Sequence, residues 1–152
     1  MMSNQIEAIP NFLRLSDSVG TAGQPDESQF TAIKGAGYQV VVNLALPDSP
    51  QALANERDLV AAHGLEYVQI PVLWDSPQVE DALRFFETMQ ANTGKKVFVH
   101  CIANMRVSAF MYLYRIIYEG MSNEEASQDL HRLWVPDDTW QEFIQNVLQR
   151  HQ

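Results

Sequence analysis

Positive charge is scarce in this chain of 152 residues: ten Lys+Arg stand against nineteen Asp+Glu, giving a formal net charge of -9 at pH 7. Only Lys34, Lys95 and Lys96 are lysines. Nucleic acids and anionic lipid surfaces are bound by neutralising phosphates with cations, so this balance excludes a general affinity for either. Cysteine is nearly absent. Cys101 stands alone, which rules out an internal disulfide, a Cys-x-x-Cys redox pair and any multi-cysteine zinc site. No apolar run approaches the ~18 residues of a membrane span. The opening Met-Met-Ser-Asn-Gln-Ile-Glu-Ala-Ile-Pro also lacks the basic start and apolar stretch of a signal peptide. A soluble, cytoplasmic protein is expected.

What is present suits one globular unit. Hydrophobic residues make up 46% and charged residues 19%, a balance that can fill a core rather than stay disordered. The length is that of one ordinary domain, so residues 1–152 are expected to fold together without a disulfide or metal staple. Short β-branched runs read as buried strands: Val40 to Leu46 between Gly37 and Pro47, Tyr67 to Val72, and Lys96 to His100. A first strand is expected around Phe12–Leu15 or Val19–Ala22. Helical stretches alternate with these runs. Pro25-Asp26-Glu27 opens one that Gly35 and Gly37 close, and Gly35-Ala36-Gly37 is a helix stop rather than a nucleotide-binding fingerprint. Ser49-Pro50 and Ser76-Pro77 each place a capping serine before a proline. Val107 to Tyr118 follows, then helices opened by Ser122–Glu125 and Thr139–Glu142, both spaced as capping boxes. The order predicts an α/β fold with a central, mostly parallel sheet of four or five strands and helices on both faces, strands 40–46 and 96–100 being neighbours in its middle.

In such sheets ligands bind beyond the carboxyl ends of the strands. One strand-to-helix junction there carries chemistry: Val99-His100-Cys101-Ile102-Ala103-Asn104-Met105-Arg106-Val107-Ser108. The strand delivers Cys101 to the rim, and a helix starting near Arg106 or Val107 points its positive end at the sulfur and at any bound anion. Arg106 adds a planar fork suited to a tetrahedral oxyanion. These groups favour the thiolate and make Cys101 a candidate nucleophile. A lone buried cysteine is commonly a packing residue; His100 before it and Arg106 after it favour the reactive reading. Asp75 lies just past the strand ending at Val72, on the same rim. With Trp74 shielding it from water it suits a general acid, a reading favoured over its alternative as a helix cap ahead of Ser76-Pro77. His100 serves either as a loop-orienting residue or as a satisfied core histidine. Ser108 serves either as a donor to the thiolate or as a plain helix hydroxyl. His63 and His131 make no metal-ligand spacing with a carboxylate, so no metal is expected, and no organic cofactor is implied. Trp134 and Trp140, around the turn at Val135–Asp138, read as core.

At these residues the sequence resembles the cysteine-dependent protein tyrosine and dual-specificity phosphatases. More closely, it resembles a small bacterial group of phosphatase-like proteins, related to the β-lactamase-hydrolase-like phosphatases, that carries an early Thr-Ala-Gly-Gln-Pro stretch, here Thr21 to Pro25. The resemblance runs from about Val19 to the last helix and includes Asn43-Leu44, Ile70-Pro71 with Trp74-Asp75, and His100 to Ser108. It implies a cysteine-phosphatase fold and hydrolysis of a phosphorylated protein or small phosphoester. It places the nucleophile at Cys101, the phosphate cradle on the backbone of Ile102, Ala103, Asn104 and Met105 with Arg106, and the acid at Asp75. The pattern departs at one point. The superfamily usually has five residues between cysteine and arginine; here there are four, no glycine is among them, and Asn104 is the residue best suited to a left-handed turn. Loops of that shorter length are common in rhodanese-type sulfurtransferases, where the cysteine carries a persulfide and no acid is needed. A phosphate-binding module without catalysis is the third reading.

Overall fold

The computed structural model describes residues 6–151. Val40-Val41-Val42 can be buried on both sides only inside a sheet covered on two faces, and that is where β3 (Val40–Asn43) lies. It sits beside β5 (Val97–His100) and β4 (Glu66–Gln69), with β2 (Val19–Ala22) on the far side of β5 and the short β1 (Leu13–Arg14) at that edge. The order is β1-β2-β5-β3-β4, parallel throughout except for the antiparallel β1–β2 pair. Both candidates for the first strand are therefore strands, paired with each other. The register levels Ala22, His100 and Asn43, with Gln69 opposite Asn43, so their successors Gly23, Cys101, Leu44 and Ile70 form one carboxyl rim.

Alternate strand residues serve opposite layers, as the pleat requires. Val41 and Phe98 pack with Phe30 and Ile33 of α1 (Gln29–Gly35) and Val60 of α2 (Glu56–Ala62). Val40, Val42, Val97 and Val99 face α3 (Val79–Ala91), α4 (Met105–Ile117) and α6 (Asp138–Arg150), where Phe85, Phe110, Trp140 and Phe143 fill the larger core. α5 (Asn123–Leu133) lies against α4, tied by Arg115 to Asp129 at 2.8 Å. Among the described residues no helix is long and apolar enough to cross a membrane.

Several helix starts differ from the sequence reading, each for a local reason. Ser49-Pro50 opens turns rather than a helix: Ser49 N–H bonds Leu46 O, Ala52 N–H bonds Ser49 O, and α2 begins only at Glu56. At α3 the cap is Gln78, in a reciprocal box with Asp81, and Ser76 merely accepts from the Gln78 amide at 2.8 Å. At α6 the cap is Asp137, whose carboxylate takes the Trp140 N–H at 3.0 Å, two residues before the expected Thr139. A carboxylate is the stronger acceptor for an orphan helix N–H, and it wins the position. Ser122 does cap α5, accepting from Glu125 N–H. α4 starts at Met105, a little earlier than Arg106 or Val107.

Candidate active site

The β5–α4 loop is held from behind at its carbonyls. His100 Nδ1 lies 3.1 Å from Cys101 O, Gln24 N–H donates to Ile102 O at 3.0 Å, and Asn11 Nδ2 donates to Ala103 O at 2.9 Å. In a trans peptide the N–H of the next residue points opposite to the carbonyl. Pulling these carbonyls back therefore turns the following amides forward. Among the described residues no protein acceptor meets the N–H groups of Ile102, Ala103, Met105 and Arg106. The last two belong to the first turn of α4, whose N–H groups lack intrahelical partners.

Asn104 makes the bend. Its φ is 66°, the left-handed region open chiefly to glycine and asparagine, so it does the work of the missing loop glycine. Its fully buried side chain donates to Asn11 O at 2.9 Å and to Thr21 Oγ1 at 3.0 Å, pinning the turn to β2. The Thr21–Pro25 stretch thus supplies the loop's back wall: Thr21 holds Asn104, Gly23 bridges Ala103, and Gln24 holds Ile102.

In front of the loop lies a cavity of about 170 Å³ lined by Trp74, Cys101, Ile102, Ala103, Met105 and Arg106. Cys101 is 1% exposed and contributes to its wall. Arg106 is also buried, its guanidinium donating to Val72 O at 2.9 Å, and it is the one cation among the lining residues. The structure thus gathers Cys101, Ile102, Ala103, Met105 and Arg106 about one space, with Asn104 as the hinge beneath. Asp75 is exposed on the β4–α3 loop beside Trp74 and does not line the cavity. The shield expected of Trp74 is not in place. Its ring packs 5.3 Å from that of Trp134 and 5.5 Å from that of Trp140, and its carbonyl takes the Trp140 indole N–H at 2.9 Å. Trp134 and Trp140 therefore serve the site by holding its rim as well as filling core. Ser108 Oγ has other partners than the thiol: it lies 2.6 Å from Met105 O, to which it donates, and accepts from Trp134 Nε1 at 2.9 Å.

One residue beside the site escaped the sequence reading. Glu56, 4% exposed at the start of α2, lies 2.7 Å from His100 Nε2 and accepts from Gln24 Nε2 at 2.8 Å and Asn43 Nδ2 at 3.3 Å. Burial pushes its carboxyl up, but bonding and charge from His100, with bonds from Gln24 and Tyr67, outweigh that and hold it below the usual glutamate value. Tyr67 is raised by burial and then by the Glu56 charge. An acid in the first turn of a helix ordinarily reads as a solvated dipole partner, and nothing local marks a pairing 44 residues away. His100 is both things the sequence allowed: fully buried and hydrogen-bonded, and in contact with the loop.

The fold is that of the cysteine-dependent phosphatases. Tk-PTP, a solved structure 21% identical, superposes with a TM-score of 0.77 over 93% of this chain and 98% of its own. A candidate phosphatase of the DUF442 group from Shewanella putrefaciens CN-32 is 35% identical and matches with a TM-score of 0.90 over 97% of both chains. The chain belongs to that DUF442 family of phosphatase-like proteins. A β-lactamase hydrolase-like protein of Xylella fastidiosa is 29% identical over 115 residues, 73% of this chain but 26% of that protein, so the chain spans about a quarter of its length. No protein-family model matches the chain.

Proposed function

We propose that the chain is a cysteine-dependent phosphomonoesterase acting as one phosphatase-like unit. The observation that carries this is that the N–H groups of Ile102, Ala103, Met105 and Arg106 meet no protein acceptor among the described residues, while these residues line one cavity with Cys101. Converging N–H groups at a helix start, with one buried guanidinium, match the negative oxygens of a phosphoryl group. The Cys101 thiolate attacks phosphorus, forming the S–P bond as the P–O ester bond breaks. Asp75 gives its proton to the leaving oxygen. Water then attacks the phosphocysteine while Asp75 takes a proton back, releasing phosphate and the thiolate. For this Asp75 moves with its loop over the cavity, whose wall its neighbour Trp74 already forms. The substrate is a phosphorylated protein or a small phosphoester.

One observation favours a second reading. No carboxylate is among the residues lining the cavity, and sulfur transfer through a Cys101 persulfide needs none. A paired assay separates the two: aryl phosphate hydrolysis and thiosulfate-to-cyanide transfer, each with Cys101→Ser as control. Hydrolysis that depends on Cys101 is the expected result. Sulfur transfer without hydrolysis overturns it in favour of the sulfurtransferase, and phosphate binding with neither activity in favour of a binding module.

A further inference from the structure

Behind the loop, His100 faces an oxygen at each ring nitrogen. Nδ1 meets the carbonyl of Cys101 at 3.1 Å, and Nε2 meets Oε2 of Glu56 at 2.7 Å. A carbonyl can only accept, and the bonds on Glu56 favour its carboxylate, so the geometry calls for a proton on each ring nitrogen. We propose that Glu56 is a positioning residue for the reactive cysteine: it holds His100 as a doubly donating imidazolium that fixes the Cys101 carbonyl and sets positive charge beside the thiol. The inference rests on Cys101 being the reactive group.

The pair is neutral in sum but oriented, its positive end against Cys101 and its negative end on α2. Among the described residues, the other titratable group at the pair is Tyr67 from β4, which accepts from Asn43 Nδ2 at 3.0 Å, and Arg57 reaches the cluster only over the Tyr67 ring, 5.0 Å from its centre. Gln24 and Asn43 fill the remaining sites on the carboxylate, so it is fixed from β3 and from the Thr21–Pro25 stretch as well. The link runs without a gap: Glu56 to the ring, the ring to the carbonyl of Cys101, and that peptide to the forward-facing N–H of Ile102.

Since Cys101 is the only cysteine, the far-ultraviolet thiolate band titrates that thiol alone, with Cys101→Ser as the blank. In Glu56→Gln the isosteric amide keeps the space but cannot balance an imidazolium. The ring falls neutral, and the thiolate midpoint rises by about one pH unit, a tenfold smaller thiolate fraction at a given pH below it. Glu56→Asp restores part of the shift. An unmoved midpoint in folded Glu56→Gln overturns the proposal. Ring-nitrogen NMR of the unaltered protein needs no variant. Two protonated nitrogens on His100 at neutral pH are expected, and a singly protonated ring overturns the proposal. A shifted midpoint in a protein that hydrolyses no phosphate would remove the phosphatase reading and leave this one standing.

Discussion

Behind the β5–α4 loop, toward α1 and α2, the contacts are polar, buried and matched in pairs: Glu56, His100, Asn43, Gln24, Thr21 and Asn104 fix carbonyls and one another. In front of it, toward the β4–α3 loop, the contacts are aromatic and aliphatic, with Trp74, Ile102 and Met105 around one thiol and one guanidinium. The back is bonded at nearly every polar group, whereas the front is bonded at two points, Arg106 to Val72 O and Trp140 to Trp74 O, with apolar packing between them. The contrast divides the labour. The back holds the loop's shape, and the front leaves room for a substrate and for the approach of Asp75.

That division can be broken from either side. The largest effect is expected at the front: Cys101→Ser lowers aryl phosphate turnover by roughly a thousandfold or more without loosening the fold, measured by steady-state kinetics beside a urea melt. Asp75→Asn lowers kcat by about a hundredfold and leaves stability unchanged. An undiminished kcat there would remove Asp75 from the mechanism. At the back, Glu56→Ala is expected to cost about 3 kcal/mol in urea unfolding. Its pH dependence sharpens the point. Because the folded carboxyl sits below the ordinary value of 4.5, its stabilisation is complete above that pH and is lost as pH falls through the folded value, so the difference between unaltered protein and Glu56→Ala shrinks in acid. The smallest effect falls on the frame between the two sides. Trp140→Phe removes the bond to Trp74 O at a cost of about 1 kcal/mol and loosens the cavity wall, read as a raised KM.

The front, and His100 and Asn104 at the back, were easier to read from sequence than Glu56 and its remaining partners. His100, Cys101 and Arg106 announce themselves within seven residues at a strand–helix junction, and β-branched runs place that junction at the centre of a parallel sheet. Asn104 as the left-handed residue was legible because no glycine competed for the role. Glu56 was not, because its partners come from three other segments. Nor was the start of α2, where Ser49-Pro50 carries a genuine cap signal that the chain uses for a turn instead. Asp75 was placed on the right loop but not in the cavity, since a residue's distance along the chain does not give its side-chain direction.

Gly23 shows how closely the loop sits against the strand behind it. Its backbone is not in the left-handed region, yet an added Cβ would collide with the Ile102 carbonyl and come within 3.1 Å of Pro10 O. Gly94 and Gly120 are the reverse: positive φ, with open space where a side chain would go. Asparagine is therefore tolerable at those two, while at position 23 every substitution pushes on the loop itself. The close approach comes with the Gly23–Ala103 bridge, which sets the loop backbone against the end of β2. A side chain at position 23 would have to displace the Ile102 carbonyl, and with it the peptide whose N–H is that of Ala103. The shape of the cradle thus depends on an atom that the residue behind it does not have.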